Sequence, residues 1–280
     1  MDIVIYILLL AVMIAMLFPF LYVVGNSLMT LKEYARPGMK LFPTQGITFE
    51  AYGAVFRNDY IFICYRNTLL LVGIGTTLSL AMTTVTGYAL SRERLKGRKL
   101  LLFLYILTML IGGGIIPNYL VVRYLGIMNT LWALILPVTI NTFFLMILKN
   151  FFTIIPDSLE ESAYMDGANE ITIMVRIFIP LSIPAMVTIG LFYAVNYWNQ
   201  FFLGVLYLMD KRKWPLQLLL REILVISDTS EMDGSSRYSA MVAYSIKMAT
   251  IVVATVPIVC VYPFLQKYFS RGILVGAVKG

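Results

Sequence analysis

Pro156-Asp157-Ser158-Leu159-Glu160-Glu161-Ser162-Ala163-Tyr164-Met165-Asp166-Gly167-Ala168 is the most informative stretch of a strongly apolar chain. With Glu170 it gathers Asp157, Glu160, Glu161 and Asp166 into one segment of a protein that is 60% hydrophobic and only 13% charged. Apolar runs of membrane-spanning length flank it on both sides. Charged side chains are costly inside a bilayer, so this segment is expected to be a loop outside the membrane. It is a candidate docking surface for something in the aqueous phase.

The local signals inside the loop are those of two short helices. Ser158 and Glu161 have the spacing of a capping box, which predicts a helix from there to about Met165. Gly167 supplies a left-handed stop. Asn169 is placed to cap a second helix over Glu170–Phe178, before Pro180. On these cues alone an ordinary solvated loop explains the segment as well, because capping boxes are common.

The remainder of the composition sets the class as all-α and polytopic. Mean hydropathy is +0.83, and the apolar share exceeds the roughly 45–50% of soluble domains. Six runs match the thickness of a bilayer core, at about 3–25, 66–90, 99–117, 130–149, 180–205 and 240–265. A span isolated in lipid must satisfy its own backbone, so each is expected to be helical. Residues 1–280 then form a single membrane domain with short loops. Only Met1-Asp2 precedes the first span, with no basic leader and no small-residue cleavage site, so that span is read as retained.

The net charge is +7, but its distribution leaves orientation open. Arg92, Arg94, Lys96, Arg98 and Lys99 form a basic cluster after the second span, as a cytoplasmic loop does. The loop expected on the opposite side also carries Lys211, Arg212, Lys213, Arg221 and Arg237. Both clusters are read as lipid-headgroup neighbours. No aromatic-interleaved basic module accompanies them, so nucleic acid is not an expected partner. Cys64 and Cys260 read as small buried hydrophobes, with neither a disulfide framework nor metal spacing.

Individual spans carry further signals. The second holds Gly73, Gly75, Thr76, Thr77, Ser79, Thr83, Thr84, Thr86 and Gly87, small residues that let helices approach closely, which places it centrally. The third ends in Gly112-Gly113-Gly114-Ile115-Ile116-Pro117, after which Tyr119–Gly126 is expected to lie in the membrane interface. The fifth contains Tyr193, Asn196, Tyr197, Trp198, Asn199 and Gln200. Aromatic faces and amides suit a sugar path, and they serve equally as helix–helix glue and interfacial anchors.

Several classes of function fall away. The chain has no histidine, which removes Ser-His and Cys-His pairs and a His-Glu-x-x-His zinc site. It has no phosphate-binding loop of the Gly-x-x-x-x-Gly-Lys-Ser/Thr kind, so energy from ATP must come through a partner. Acidic residues lie in expected loops or at the N-terminus, which argues against proton coupling. The alternative of a cation-coupled secondary sugar transporter survives only for sodium, which carbonyl oxygens can bind.

Glu161-Ser162-Ala163, Gly167 and Ile177-Phe178-Ile179-Pro180 resemble the EAA loop of ABC importer permeases, with Ser162 in place of the first alanine and Ile179 in place of leucine. The resemblance extends along the chain to the MalG-like carbohydrate permeases, nearest the LplC-like and YtcP-like subgroup. It is carried by Gly87-Tyr88-Ala89-Leu90-Ser91-Arg92, Gly113-Gly114-Ile115-Ile116-Pro117, Leu131-Trp132-Ala133-Leu134-Ile135-Leu136-Pro137, Gly190-Leu191-Phe192-Tyr193-Ala194-Val195 and Pro215-Leu216-Gln217-Leu218. Gln266-Lys267-Tyr268-Phe269 and Gly276-Ala277-Val278-Lys279-Gly280 match as well.

That resemblance implies a six-helix type I importer permease, itself not an enzyme and without a cofactor. It implies a second homologous permease and two cytoplasmic ATPase subunits, which bind the ATP and Mg. An extracellular solute-binding lipoprotein would deliver a carbohydrate, an oligosaccharide by subgroup. The loop at about 150–180 would couple to the ATPases through Glu160, Glu161, Ser162, Ala163, Asp166, Gly167 and Ala168. Glu161 would meet a basic group on an ATPase, and Gly167 would be the joint between two coupling helices. Gly276, Lys279 and Gly280 of the tail would reach the ATPase dimer. Both termini would be cytoplasmic in a multi-pass protein of the cell membrane.

Overall fold

A computed structural model describes residues 2–34, 40–232 and 241–260, with the side chains of residue 2 and of 226–232 left aside. The Arg36-Pro37-Gly38 turn signal and the tail from Val261 to Gly280, with Gly276, Lys279 and Gly280, lie outside the described residues. Every regular element among the described residues is helical. α1 (Asp2–Ser27) leads to α2 (Leu31–Tyr34), α3 (Glu50–Phe56) and the long α4 (Asp59–Ser91). α5 (Arg98–Leu110), α6 (Ile115–Tyr124), α7 (Trp132–Ile135) with a 3-10 turn over Leu136–Val138, and α8 (Thr142–Ile154) follow. The acidic segment forms α9 (Asp157–Met165) and α10 (Glu170–Ile173), and α10 continues through a π turn, Met174–Phe178, into α11 (Ile179–Leu181). α12 (Ile183–Trp198), α13 (Phe202–Tyr207), α14 (Leu216–Met232) and α15 (Met241–Cys260) complete the described chain.

The expected spans are present in number but differ in shape. α1 from Ile3, α4 and α15 are each long and apolar enough to cross a membrane. Three bent pairs meet the same test, and counting each pair as one crossing gives six. The bend between α5 and α6 is 117°, where Gly114 takes φ +79 and the preceding glycines release the helix. The run expected over 130–149 breaks by 53° between Val138 and Thr142 and continues to Ile154. Pro137 interrupts the ladder there, and the Asn141 side chain restarts it by accepting from the Phe143 and Phe144 amides. The fifth run turns by 83° at Ser182, with Pro184 in the first turn of α12. α4 starts at Asp59, a full two turns before the expected Arg66.

The described residues pack as two compact units, one of those up to Tyr65 with those from Leu216 to Cys260, and the other of Arg66–Pro215. In the first unit α1 is apolar on all sides and largely exposed, as a lipid-immersed helix is. Its end is closed by a polar knot. Asn26 donates to the carbonyls of Tyr22 at 2.7 Å and Lys40 at 3.2 Å, and Ser27 and Tyr52 share a hydrogen bond of 2.7 Å. Gly25 is obligatory here, because a Cβ would stand 1.9 Å from the Leu41 carbonyl oxygen. Glu33 is fully buried in this knot, accepting from the Thr44 amide at 2.7 Å, the Thr44 hydroxyl at 2.6 Å and the Gln45 amide at 3.4 Å. Cys64 is buried as expected, whereas Cys260 is exposed beside the exposed Val256 and Val259 at the end of α15.

The second unit is built on α4, as the density of small residues predicts. Its core joins Leu71 and Tyr88 of α4 with Leu134, Leu148, Phe152, Phe178, Ile189, Tyr193 and Tyr197. Ser79 shares a hydrogen bond of 2.8 Å with the Tyr197 hydroxyl, and Thr83 one of 2.8 Å with Tyr193. Hydroxyl pairs of this kind hold helices together where a hydrophobic driving force is weak. Gly75 faces the Tyr197 ring, and a Cβ there would come within 2.7 Å of it.

The Glu33 carboxyl is held below its ordinary value of 4.5, first by the Thr44 hydroxyl, with burial opposing and the Thr44 and Gln45 amides adding to it. A lowered folded value means that the charged form is preferred in the folded protein. The stabilisation is therefore complete above the unfolded value and is lost as pH falls through the lower folded value. Detergent-solubilised protein is expected to melt higher than Glu33→Gln at pH 7, with the difference shrinking below about pH 4.5. A difference that grows on acidification contradicts this account of the knot.

Candidate functional site

The acidic loop folds as the sequence predicts at its stop and less so at its start. Ser158 is not the cap. α9 begins at Asp157 with Pro156 before it, and no side chain caps it. The pyrrolidine fixes the entry backbone, and Asp157 and Glu160 place negative charge over the amides of the first turn. At the other end Gly167 takes φ +80. The Ala168 amide donates to the Ala163 carbonyl at 2.9 Å and the Gly167 amide to Tyr164 at 2.9 Å, the paired bonds of a Schellman stop. Asn169 then caps α10, accepting from the Thr172 amide at 2.9 Å. The second helix passes Pro180 instead of ending before it, because that proline occupies the first turn of α11 where no amide is required.

Two arginines from the end of α4 reach into this loop. Arg92 is 7% exposed, and its Nη1 pairs with Glu160 Oε2 and lies 3.7 Å from Asp157. Its Nη2 donates to the Phe152 carbonyl at 3.0 Å and its Nε to the Ser91 hydroxyl at 3.0 Å. The guanidinium sits 4.4 Å over the Phe178 ring and 5.6 Å over that of Tyr88. Arg94 pairs with the other Glu160 oxygen and, at 2.6 Å, with Glu170. The Tyr88 hydroxyl donates to Glu170 at 2.8 Å, and Arg94 stacks 4.6 Å over Tyr164. Burial, and then the hydrogen bond to Glu170, push the Tyr164 phenol up to about 12. It stays a neutral donor at any physiological pH.

The basic cluster is therefore not simply a ring of headgroup neighbours, since Arg92 and Arg94 are consumed by the acidic loop. The ion pairs close 68 and 66 residues apart in sequence. No local sign marks this pairing, because Gly87-Tyr88-Ala89-Leu90-Ser91-Arg92 ends an apolar span on a cation, as a membrane-surface loop does too. Gly87 has a further role, since it brings α4 close to the Lys149 backbone of α8, 3.5 Å from where a Cβ would stand.

The remaining site residues separate by exposure. Glu160 is buried and turned inward, whereas Glu161 is exposed and forms no ion pair among the described residues. Ser162 is exposed and donates to the Ser158 carbonyl at 2.8 Å. Ala163 and Ala168 are half-buried against the core, and Asp166 and Gly167 are exposed. A cleft of about 280 Å³ opens between Arg92, Arg94, Asp157, Glu160, Glu161 and Tyr164. In α12, Tyr193 and Tyr197 are buried and bonded to α4, and Trp198 is buried. Gln200 donates to the Leu134 carbonyl at 2.7 Å. Asn196 and Asn199 are exposed, together with Phe192 one turn before Asn196, on one face of the helix.

The arrangement holds no metal ligand set among the described residues and no phosphate-binding loop. It is suited to holding a helical loop rigidly while presenting an acidic surface. Comparison with known proteins agrees. The family described as the binding-protein-dependent transport system inner membrane component matches residues 2–275. The polygalacturonan/rhamnogalacturonan transport system permease protein YtcP of Bacillus subtilis (strain 168) is 46% identical over 100% of this chain and 98% of its own. Protein LplC of the same organism is 46% identical over 94% of this chain and 89% of its own. A chain in the crystal structure of a bacterial ABC transporter involved in the import of the acidic polysaccharide alginate superposes with a TM-score of 0.87 at 31% identity, over 96% of both chains. The fold is that of a type I importer permease.

Removing one partner from a buried ion pair costs about 3–5 kcal/mol, because the other charge is left desolvated. Arg92→Met is therefore expected to speed hydrogen exchange across the α9 and α10 amides, whereas Glu161→Gln leaves it unchanged. Equal protection in wild type and Arg92→Met contradicts the assignment of Arg92 as the anchor.

Proposed function

This chain belongs to the family of binding-protein-dependent transport system inner membrane components, and from that membership we propose that it is a permease subunit of an ATP-driven carbohydrate importer. The whole chain acts as one permease domain, with residues 150–180 as its coupling loop. A second, homologous permease completes the translocation path. Two cytoplasmic ATPase subunits bind the ATP and Mg, and an extracellular solute-binding lipoprotein delivers the cargo. This chain is not an enzyme. The coupling loop faces the cytoplasm, and so do both termini.

The exposure of Glu161 beside the buried, internally paired Glu160 is the observation that carries this reading. One carboxylate anchors the loop and its neighbour is left for a basic group on the ATPase. The adjoining groove of α9 and α10, lined by Asp166, Gly167, Asn169, Thr172 and Arg176, adds a shaped surface around the stop. Gly167 supports the reading further, since only a residue at ease with positive φ lets α10 leave in this direction.

The cargo is an oligosaccharide, and an acidic one. One relative is named for polygalacturonan/rhamnogalacturonan, and the solved transporter imports acidic alginate. The path runs along the α12 face that carries Asn196 and Asn199. Amides exposed on an apolar helix are costly against lipid and favourable against a wet cavity or a sugar.

In the reconstituted importer, ATP hydrolysis stimulated by the loaded binding protein is expected to fall by about tenfold or more in Glu161→Lys, since loss of a desolvated interfacial charge pair costs several kcal/mol. Gly167→Val is expected to do the same, and uronate oligosaccharides to stimulate where neutral ones of equal length do not. In intact cells, an external thiol reagent is expected to label cysteine introduced at Asp228 and not at Gly280. Wild-type stimulation in both variants, or the reverse labelling, overturns the assignment.

A further inference from the structure

The two arginines at the end of α4 touch both halves of the loop, and that placement has a mechanical consequence. Arg92 alone contacts Glu160 of α9, the Phe152 carbonyl of α8 and the Phe178 ring beyond α10. Arg94 joins Glu160 on one side of the Gly167 stop to Glu170 on the other. Glu170 is held a second time by Tyr88, one turn before Arg92. The Gly167 stop is exposed, and its two backbone bonds set the local turn between α9 and α10. The side chains that follow α4 add ties across that turn, from one helix to the other.

We propose that Arg92 and Arg94 are positioning residues that clamp α9 and α10 to the end of α4, so that displacement of the coupling loop is delivered to α4 as movement of one rigid body. The inference rests on the coupling-loop reading above. Onward from the clamp, Ser79 and Thr83 bond α4 to Tyr197 and Tyr193 of α12, the helix that presents Asn196 and Asn199. The clamp leaves the docking surface free, since Glu161 and the outer face of α9 are exposed and take no part in it. It is needed for hydrolysis to drive cargo. Arg92 serves the role through its planar fork, which addresses a carboxylate and a carbonyl at once, and a lysine cannot reproduce that. Arg94 is half-exposed and acts between two carboxylates, where a point charge suffices in part.

The test is cargo imported per ATP hydrolysed, measured in liposomes containing the complete importer and its binding protein. Coupling energies in proteins correspond to about 5–150-fold effects, so Arg94→Met and Glu160→Gln are each expected to lower the ratio by about tenfold while the ATPase subunits still co-purify and hydrolyse ATP. The double variant is expected to be no worse than the worse single one, since both remove the same link. Arg94→Lys is expected to recover most of the ratio. Arg92→Lys falls as far as Arg94→Met. A merely stabilising role changes yield or melting temperature and leaves the ratio of surviving complexes intact. If Arg94→Met and Glu160→Gln keep the wild-type ratio while Glu161→Lys loses stimulated hydrolysis, the clamp is wrong and the coupling loop stands. If Glu161→Lys and Gly167→Val keep wild-type stimulated hydrolysis, the coupling-loop reading fails and the clamp with it.

Discussion

The ion pair between Arg92 and Glu160 is the contact on which the loop end of the second unit depends. Both side chains are almost fully buried. Taking two charges out of water is expensive, and mutual attraction offsets that cost only when every remaining donor and lone pair is also satisfied. Here it is. Arg92 spends its other donors on the Phe152 carbonyl and the Ser91 hydroxyl, and its faces on the Phe178 and Tyr88 rings. Glu160 receives a second cation from Arg94. An apolar replacement of similar size could be as stable. What a charged pair adds is a fixed register, since carboxylate and guanidinium meet in few geometries.

The same economy governs the membrane-embedded part of that unit. Lipid tails are as apolar as leucine, so helices associate through close packing and a few hydrogen bonds. Gly75 admits the Tyr197 ring, and Ser79 and Thr83 meet the Tyr197 and Tyr193 hydroxyls. Those tyrosines thus bind helix to helix, while the amides Asn196 and Asn199, in and just past α12, stay exposed. A sequence window of aromatics and amides looks uniform. Helical geometry divides it into an inner and an outer face.

What could be read from the sequence was local. Apolar length marked the crossings, Gly167 the stop and Asn169 the cap, because each depends on a few neighbouring residues. The capping box at Ser158 failed because Pro156, two residues earlier, already sets the helical entry. The break in the fourth crossing was missed although Pro137 and Asn141 mark it, because apolar residues flank the interruption on both sides. The role of Arg92 and Arg94 was illegible for a different reason. Their partners lie more than sixty residues away, and a basic cluster after a span has a cheaper explanation at the membrane surface. Only the packing of α4 against α8 brings the two charge clusters together.

The claim that loop and helix move as one body is open to direct measurement. Glu93, beside the clamp, and Met165, at the end of α9, are both strongly exposed and take no part in the ion pairs of Arg92 and Arg94, so both positions accept spin labels. With Cys64 and Cys260 replaced, the distance between labels at these two positions can be followed in the assembled importer by pulsed electron paramagnetic resonance, before and after trapping with ATP. The distance distribution is predicted to be the same in both states, and to broaden in Arg94→Met. A distance that changes on ATP binding in the otherwise wild-type protein contradicts the account.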